Sequence, residues 1–170
     1  MTTDDHRWTE DLDAQLSAVL DADAVGWLAD ARVAVADSPS SIRARFPAVS
    51  RRVGRGPLDP RADPDDPFEP TVDDAVRAVL VRALPTADRP AELLDLYRHG
   101  DTREKRGALR ALDLLAADPG GLDDATRSVA RDLVDDAMRT NDTRLVAAAL
   151  GTAGVALLDD EALAQAVLKC

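Results

Sequence analysis

Two clusters in the chain hold residue types that do chemistry. His99, Asp101 and Glu104 lie close together, an imidazole and two carboxylates of the kind used by a metal site or an acid–base step. Gly100 separates two helices there, however, and Asp101 with Glu104 has capping-box spacing, so these carboxylates are expected to hold a helix end. The second cluster is Met138-Arg139-Thr140-Asn141-Asp142-Thr143-Arg144, two guanidinium groups around an Asn–Asp pair. On a loop held by rigid helices, Arg139 and Arg144 can grip a carboxylate or another anion. The structural alternative makes Asn141 a turn and Asp142 a cap, with the arginines paired to Asp135, Asp136 or a neighbouring helix.

One stretch is locally basic. Arg43, Arg45, Arg51, Arg52 and Arg55 surround Phe46, with no acid between Ile42 and Gly56. It can bind phosphate or neutralise the Asp-rich segment that follows. The second is the expectation, because the spaced aromatics that single-stranded nucleic acid stacks on are missing. No His-x-x-x-His, HExxH or nucleophile elbow is present, and Gly54-Arg55-Gly56 lacks the length and following helix of a phosphate loop. No catalytic, cofactor-binding or metal-ligating residue is therefore assigned. Cys170 beside Lys169 reads as the small apolar end of a stripe with Leu163, Ala166 and Val167 rather than as a reactive thiol. His6 falls in a terminus expected to fray. A single cysteine also excludes an intramolecular disulfide.

The elements that position these residues read as helices. Aromatics are 3% of the chain and Ile42 is its one isoleucine, so the core must be Ala, Leu and Val, a helix-forming set. Leu12, Leu16, Val19 and Leu20 form one stripe. Val25, Leu28, Ala29, Arg32 and Val33 form a second, with Trp27 beside it and Asp21 or Asp23 as cap. Prolines 57, 60, 64, 67 and 70 among aspartates make residues 57–70 an extended connector. A helix from Thr71 is opened by Thr71 and Asp74, carries Val72, Ala75, Val76, Val79, Leu80, Ala83 and Leu84, and stops at Pro85. A short helix near Pro90–His99 closes at Gly100, read as left-handed. The next runs from Asp101 to Ala117. Another follows Leu122, Val129, Leu133 and Ala137, with Asn141 read as its left-handed close and Asp142 as the next cap. Leu145–Leu158 is about 14 residues of nearly unbroken apolar sequence, too short for a bilayer and expected to be a buried core helix. Asp159 or Asp160 is expected to cap a last helix, Glu161–Cys170.

Asp101-Thr102-Arg103 recurs as Asp142-Thr143-Arg144 at an offset of 41, along with Ala108/Ala149, Leu109/Leu150 and Asp118/Asp159. The offset lies in the range of roughly 40–47 residues of HEAT and armadillo helix pairs. The fold expected is a single all-α domain over residues 1–170, a right-handed stack of antiparallel helices, with HEAT- or armadillo-like pairs as its finer form. The net charge of −11 repels phosphate backbones and anionic lipid, so nucleic acid is not the expected partner. No secretory signal is visible, which makes the cytoplasm the expected location.

Several segments together resemble the EboA-domain family of bacterial proteins. They are Phe46-Pro47-Ala48, Arg51–Leu58, Asp73–Ala78, Tyr97–Asp101 with Glu104, Arg139–Gly151 and Gln165–Cys170, in an order and spacing that cover about residues 20–170. The resemblance implies a small α-helical protein encoded with a prenyltransferase-like membrane protein and several metabolic enzymes, a set implicated in moving natural-product precursors across the inner membrane. It implies no catalytic residues and no cofactor. Related chains continue past Leu168-Lys169-Cys170 with further apolar helix, so a final helix is expected to be missing here.

Three functions follow as expectations. The first is a non-catalytic adaptor or carrier that docks onto metabolite-handling proteins, peripheral to the inner face of the membrane through them. Its candidate contacts are Arg51, Arg52, Arg55, His99, Asp101, Arg139, Asn141, Asp142 and Arg144. The second is a small-molecule binder or enzyme with a pocket bordered by His99, Asp101 and Arg139. The third is HEAT-like nucleic-acid binding, which needs a basic concave face.

Overall fold

Side-chain caps start most of the long helices, and they do so where short polar residues precede apolar runs. In the computed structural model, which describes residues 8–158, helix α1 spans Leu12–Val19 and α2 spans Ala22–Asp37. Asp21 caps α2 by accepting the Ala24 N–H at 2.8 Å. A 3₁₀ turn at Pro39–Ser41 leads into two short helices, α3 (Ile42–Arg45) and α4 (Val49–Val53). Then come α5 (Val72–Ala83), α6 (Arg89–His99), α7 (Thr102–Ala117) and α8 (Asp124–Met138). Helices α9 (Thr143–Ala149) and α10 (Thr152–Val155) complete the described chain. No strand occurs among the described residues, and the fold is all-α. The final helix expected over Glu161–Cys170, its cap, His6, Lys169 and Cys170 lie outside the described residues.

The connector is a closed loop. Leu58 N–H donates to Pro70 O and Val72 N–H to Gly56 O, each at 2.9 Å, so its two ends are laced together by backbone. Leu58 is buried beneath it.

The interior is built around α5 and α7, which pack on each other along their lengths. Every residue from Val72 to Val81 is buried, and so is every residue from Arg106 to Leu115. A helix covered all round must be small or have its polar groups paired. Gly107 supplies the first condition, since a Cβ there would meet Arg77 Cδ at 2.5 Å. The second is met by the charge network described below.

Four local expectations are corrected. The buried face of α2 is Ala24, Leu28, Ala31 and Val35, whereas Val25 and Val33 are 41% and 62% exposed. Small alanines allow close approach to α5, and that fixed the rotation of α2 in place of the larger valines. Leu145–Leu158 is not one helix: it breaks at Leu150-Gly151, and the buried Asp113 carboxylate of α7 accepts the Ala153 N–H at 2.9 Å. That carboxylate occupies the space a side chain at Gly151 would fill, and it restarts the chain as α10. Gly100 has φ −76°, not a left-handed value, and is glycine because a Cβ there would lie 2.5 Å from Leu96 O. Asn141 likewise does not adopt positive φ.

The repeat offset matches Asp101 to Asp142, and both are helix N-caps, of α7 and α9. The two helices differ in length, 16 residues against 7.

Candidate functional site

Four of the buried charged side chains, Asp73, Asp74, Arg77 and Arg106, form one joined set. Arg77 of α5 donates through Nη1 to Asp73 Oδ2 at 2.9 Å, through Nη2 to Ser50 Oγ at 2.9 Å and through Nε to Phe46 O at 3.3 Å. Its guanidinium also lies over the Phe46 ring, 5.5 Å from the centroid. Arg106 of α7 reaches Asp74 at 2.8 Å and donates through Nη2 to Thr71 Oγ1 at 2.8 Å. Thr71 donates in turn to Asp73 Oδ1 at 2.6 Å, and Asp74 Oδ2 accepts the Thr71 N–H at 3.1 Å. Burial pushes the Asp73 carboxyl up, but hydrogen bonds from Thr71, Ser50 and Arg77, with the Arg77 charge, outweigh it and leave its pKa below the ordinary 3.8. The two Arg–Asp pairs neutralise each other and spend their hydrogen bonds internally. They tie α4, α5 and α7 together and offer nothing to a ligand.

Arg110, one turn beyond Arg106 on α7, is different. It is 4% exposed, yet no carboxylate among the described residues pairs with it. Its Nη2 donates to the Phe68 and Pro67 carbonyls of the connector, and its buried Nε has no hydrogen-bond partner. Arg110 lines a cleft of about 510 Å³ between α1, the connector and the α9–α10 junction. Trp8, Val19, Leu58, Phe68 and Leu150 give that cleft apolar walls, and Gln15 adds an amide. Asp59, Arg61 and Glu69 stand at its edge, with Asp59 and Arg61 paired at 3.0 Å.

None of the candidate contact residues named from the sequence lines this cleft. Asp101 accepts the Glu104 N–H at 2.9 Å, and Glu104 Oε2 accepts the Asp101 N–H at 3.1 Å, the capping box expected of them. His99 is on the surface, with Nδ1 3.0 Å from Asp95 O and 3.2 Å from the Asp95 carboxylate. Asp142 caps α9 through the Arg144 and Leu145 N–H groups. Arg144 Nη2 donates to Pro64 O of the connector at 3.2 Å, so it acts as a strut and not in an ion pair with α8. Asn141 and Arg139 are exposed. Asp136, one of the acids considered as a partner for Arg139, accepts the Tyr97 hydroxyl at 3.0 Å instead.

Contrary to the expectation from sequence, the basic stretch does not pair with the connector aspartates among the described residues. Arg43 turns to α6, pairing with Glu92 at 3.0 Å and Asp95 at 3.4 Å. Arg51, Arg52 and Arg55 are exposed and unpaired among the described residues. Folding places the α6 acids closer to Arg43 than the connector aspartates. The connector is held by Arg110 and Arg144 through its carbonyls.

Sequence reasoning missed Asp73, Arg77, Arg106 and Arg110. The signal available was their spacing: Asp73/Arg77 and Arg106/Arg110 stand at i,i+4, among the apolar residues of α5 and α7. Among the described residues no helix is long and apolar enough to cross a membrane.

Among the described residues, fold and cleft together define an all-α protein with two buried Arg–Asp pairs and a further buried guanidinium, Arg110, facing a cleft. No family model, no curated protein and no solved structure matches the chain.

Proposed function

We propose that the chain is a non-catalytic helical adaptor or carrier of the EboA type, implicated in the trafficking or export of natural-product precursors. It docks onto metabolite-handling partner proteins, a prenyltransferase-like membrane protein among them, from the cytoplasmic side. The observation that supports this reading is the distribution of arginines. Arg43, Arg77 and Arg106 are consumed in ion pairs within the chain, while Arg51, Arg52, Arg55 and Arg139 are exposed and unpaired among the described residues, in a chain of net charge −11. Acid is abundant on this surface, so cations left free of it are available to an acidic partner.

The test is affinity capture from native cells with the wild-type chain and with R51E/R52E/R55E and R139E variants. The reading expects a membrane-associated or biosynthetic protein with the wild type, and its loss on charge reversal. Capture of no such protein, or equal capture by the reversed variants, sets the reading aside.

A further inference from the structure

We infer that the Arg110 cleft is a binding site for an amphipathic small molecule bearing a single carboxylate. The carboxylate would sit on the Arg110 guanidinium and the apolar body against Trp8, Leu58, Phe68 and Leu150. This site is separate from the exposed arginines above, and neither experiment reads the other's surface.

The argument starts from an unmet valence. A guanidinium has five N–H donors in a fixed fork. Arg77 and Arg106 show how this protein treats such a group in its interior, with a carboxylate directly on each at 2.9 Å and 2.8 Å. Arg110 is as buried, at 4%, but is given only backbone carbonyls, on Nη2 alone, and its shielded Nε bonds to nothing. A buried cation without a counter-charge is the costliest arrangement a core can hold, and a native structure keeps it where something else completes it. The missing partner is an acceptor of negative charge. The Nε–Nη edge of the fork, freed by a small side-chain rotation, matches a carboxylate in size and direction.

The cavity beside it fits that ligand. At about 510 Å³ it falls within the range of small-molecule sites, roughly 300–1,000 Å³, and one polar anchor among apolar walls is their usual composition. Phe68 is 42% exposed at its edge, an apolar ring that a ligand body would cover. The edge also sets the charge. It carries two carboxylates, Asp59 and Glu69, to one guanidinium, Arg61, so a second negative charge on the ligand would meet an edge of net negative formal charge. A monoanion is accommodated and a dianion is repelled.

The probes are decanoate, decanol and decyl phosphate, titrated against the full chain. The readouts are Trp8 fluorescence in a Trp27→Phe background and the shift in Tm. Decanoate should bind saturably and at least about tenfold more tightly than decanol, with decyl phosphate weaker than decanoate. In Arg110→Met the decanoate preference should vanish while decanol binding persists, a split that a merely structural arginine would not produce. If decanoate and decanol bind equally, or neither binds, the inference is overturned. The wild-type comparison alone decides this, even if Arg110→Met fails to fold. Unchanged decanoate binding in a folded Arg110→Met overturns it as well.

Discussion

Arg77 lies against the backbone of Gly107, where an added Cβ would come within 2.5 Å of Arg77 Cδ and 2.9 Å of its Cβ. The contact lets α5 and α7 approach closely with a long charged side chain between them. Arg77 cannot swing aside cheaply, because Nε, Nη1 and Nη2 are all hydrogen-bonded. Gly107→Ala gains helix propensity of about 1 kcal/mol. Overpacking outweighs that gain, for a net loss of about 1–3 kcal/mol. The urea midpoint should fall at unchanged slope; a midpoint that rose would show that Arg77 has room to move.

Asp74 and Arg106 form the second buried pair, 2.8 Å apart between α5 and α7. Removing either partner strands the other charge, so Asp74→Asn and Arg106→Met should each cost about 3–5 kcal/mol. The double variant should lose clearly less than the sum, since it leaves no orphan. Additive losses in a urea double-mutant cycle would deny that the pair acts as a unit.

Acid should weaken the protein through Asp73. Its folded pKa lies below the ordinary 3.8, so its contribution is fully present above that value and is lost as pH falls through the folded one. Asp73→Asn should therefore be less stable than wild type at neutral pH, and the gap should narrow as pH drops below about 4. Urea midpoints across that window measure it, and a gap of constant size contradicts the assignment.

Tyr97 gives the alkaline counterpart. Burial first, then the hydrogen bond to Asp136 and its charge, raise the phenol well above the ordinary 10. A raised pKa favours the folded state below the unfolded value and loses that contribution as pH climbs through the folded one. Tyr97 is the chain's one tyrosine, so phenolate absorbance reports on it alone. Absorbance should rise only as the chain unfolds in base; a step near pH 10 in folded protein would place the hydroxyl in solvent.

On heparin the chain should flow through at moderate salt. Its exposed arginines at 51, 52, 55 and 139 are few against a net charge of −11, and polyanion binding scales with cations that reach the phosphates or sulfates. Retention would favour the nucleic-acid reading over an acidic protein partner.

Helix positions were largely legible in the sequence because caps are local. Asp21, Asp101 and Asp142 each bond an N–H two or three residues onward, and a reader of the chain sees both ends of that bond. Helix rotation was less legible. Val25 and Val33 outrank Ala24 and Ala31 in hydrophobicity, but it is the alanines that are buried, because a neighbouring helix needed space there. The candidate site was not legible at all. The residues marked from sequence are caps, a strut or surface groups, and the cleft is formed by others.

The sequence by itself determined an all-α chain, most of its helix ends and the position of the proline-rich connector, all of which depend on neighbours a few residues apart; that the connector closes on itself, Leu58 to Pro70 and Gly56 to Val72, only the fold decided. Only the tertiary structure decided which helices lie inside and which charges are matched. Arg106 finds Asp74 across 32 positions, and Asp113 finds Ala153 across 40. An arginine's sequence neighbourhood says that it is charged, but its counter-charge comes from whatever the fold packs against it. For Arg77 and Arg106 that is a carboxylate, and for Arg110 it is a cavity.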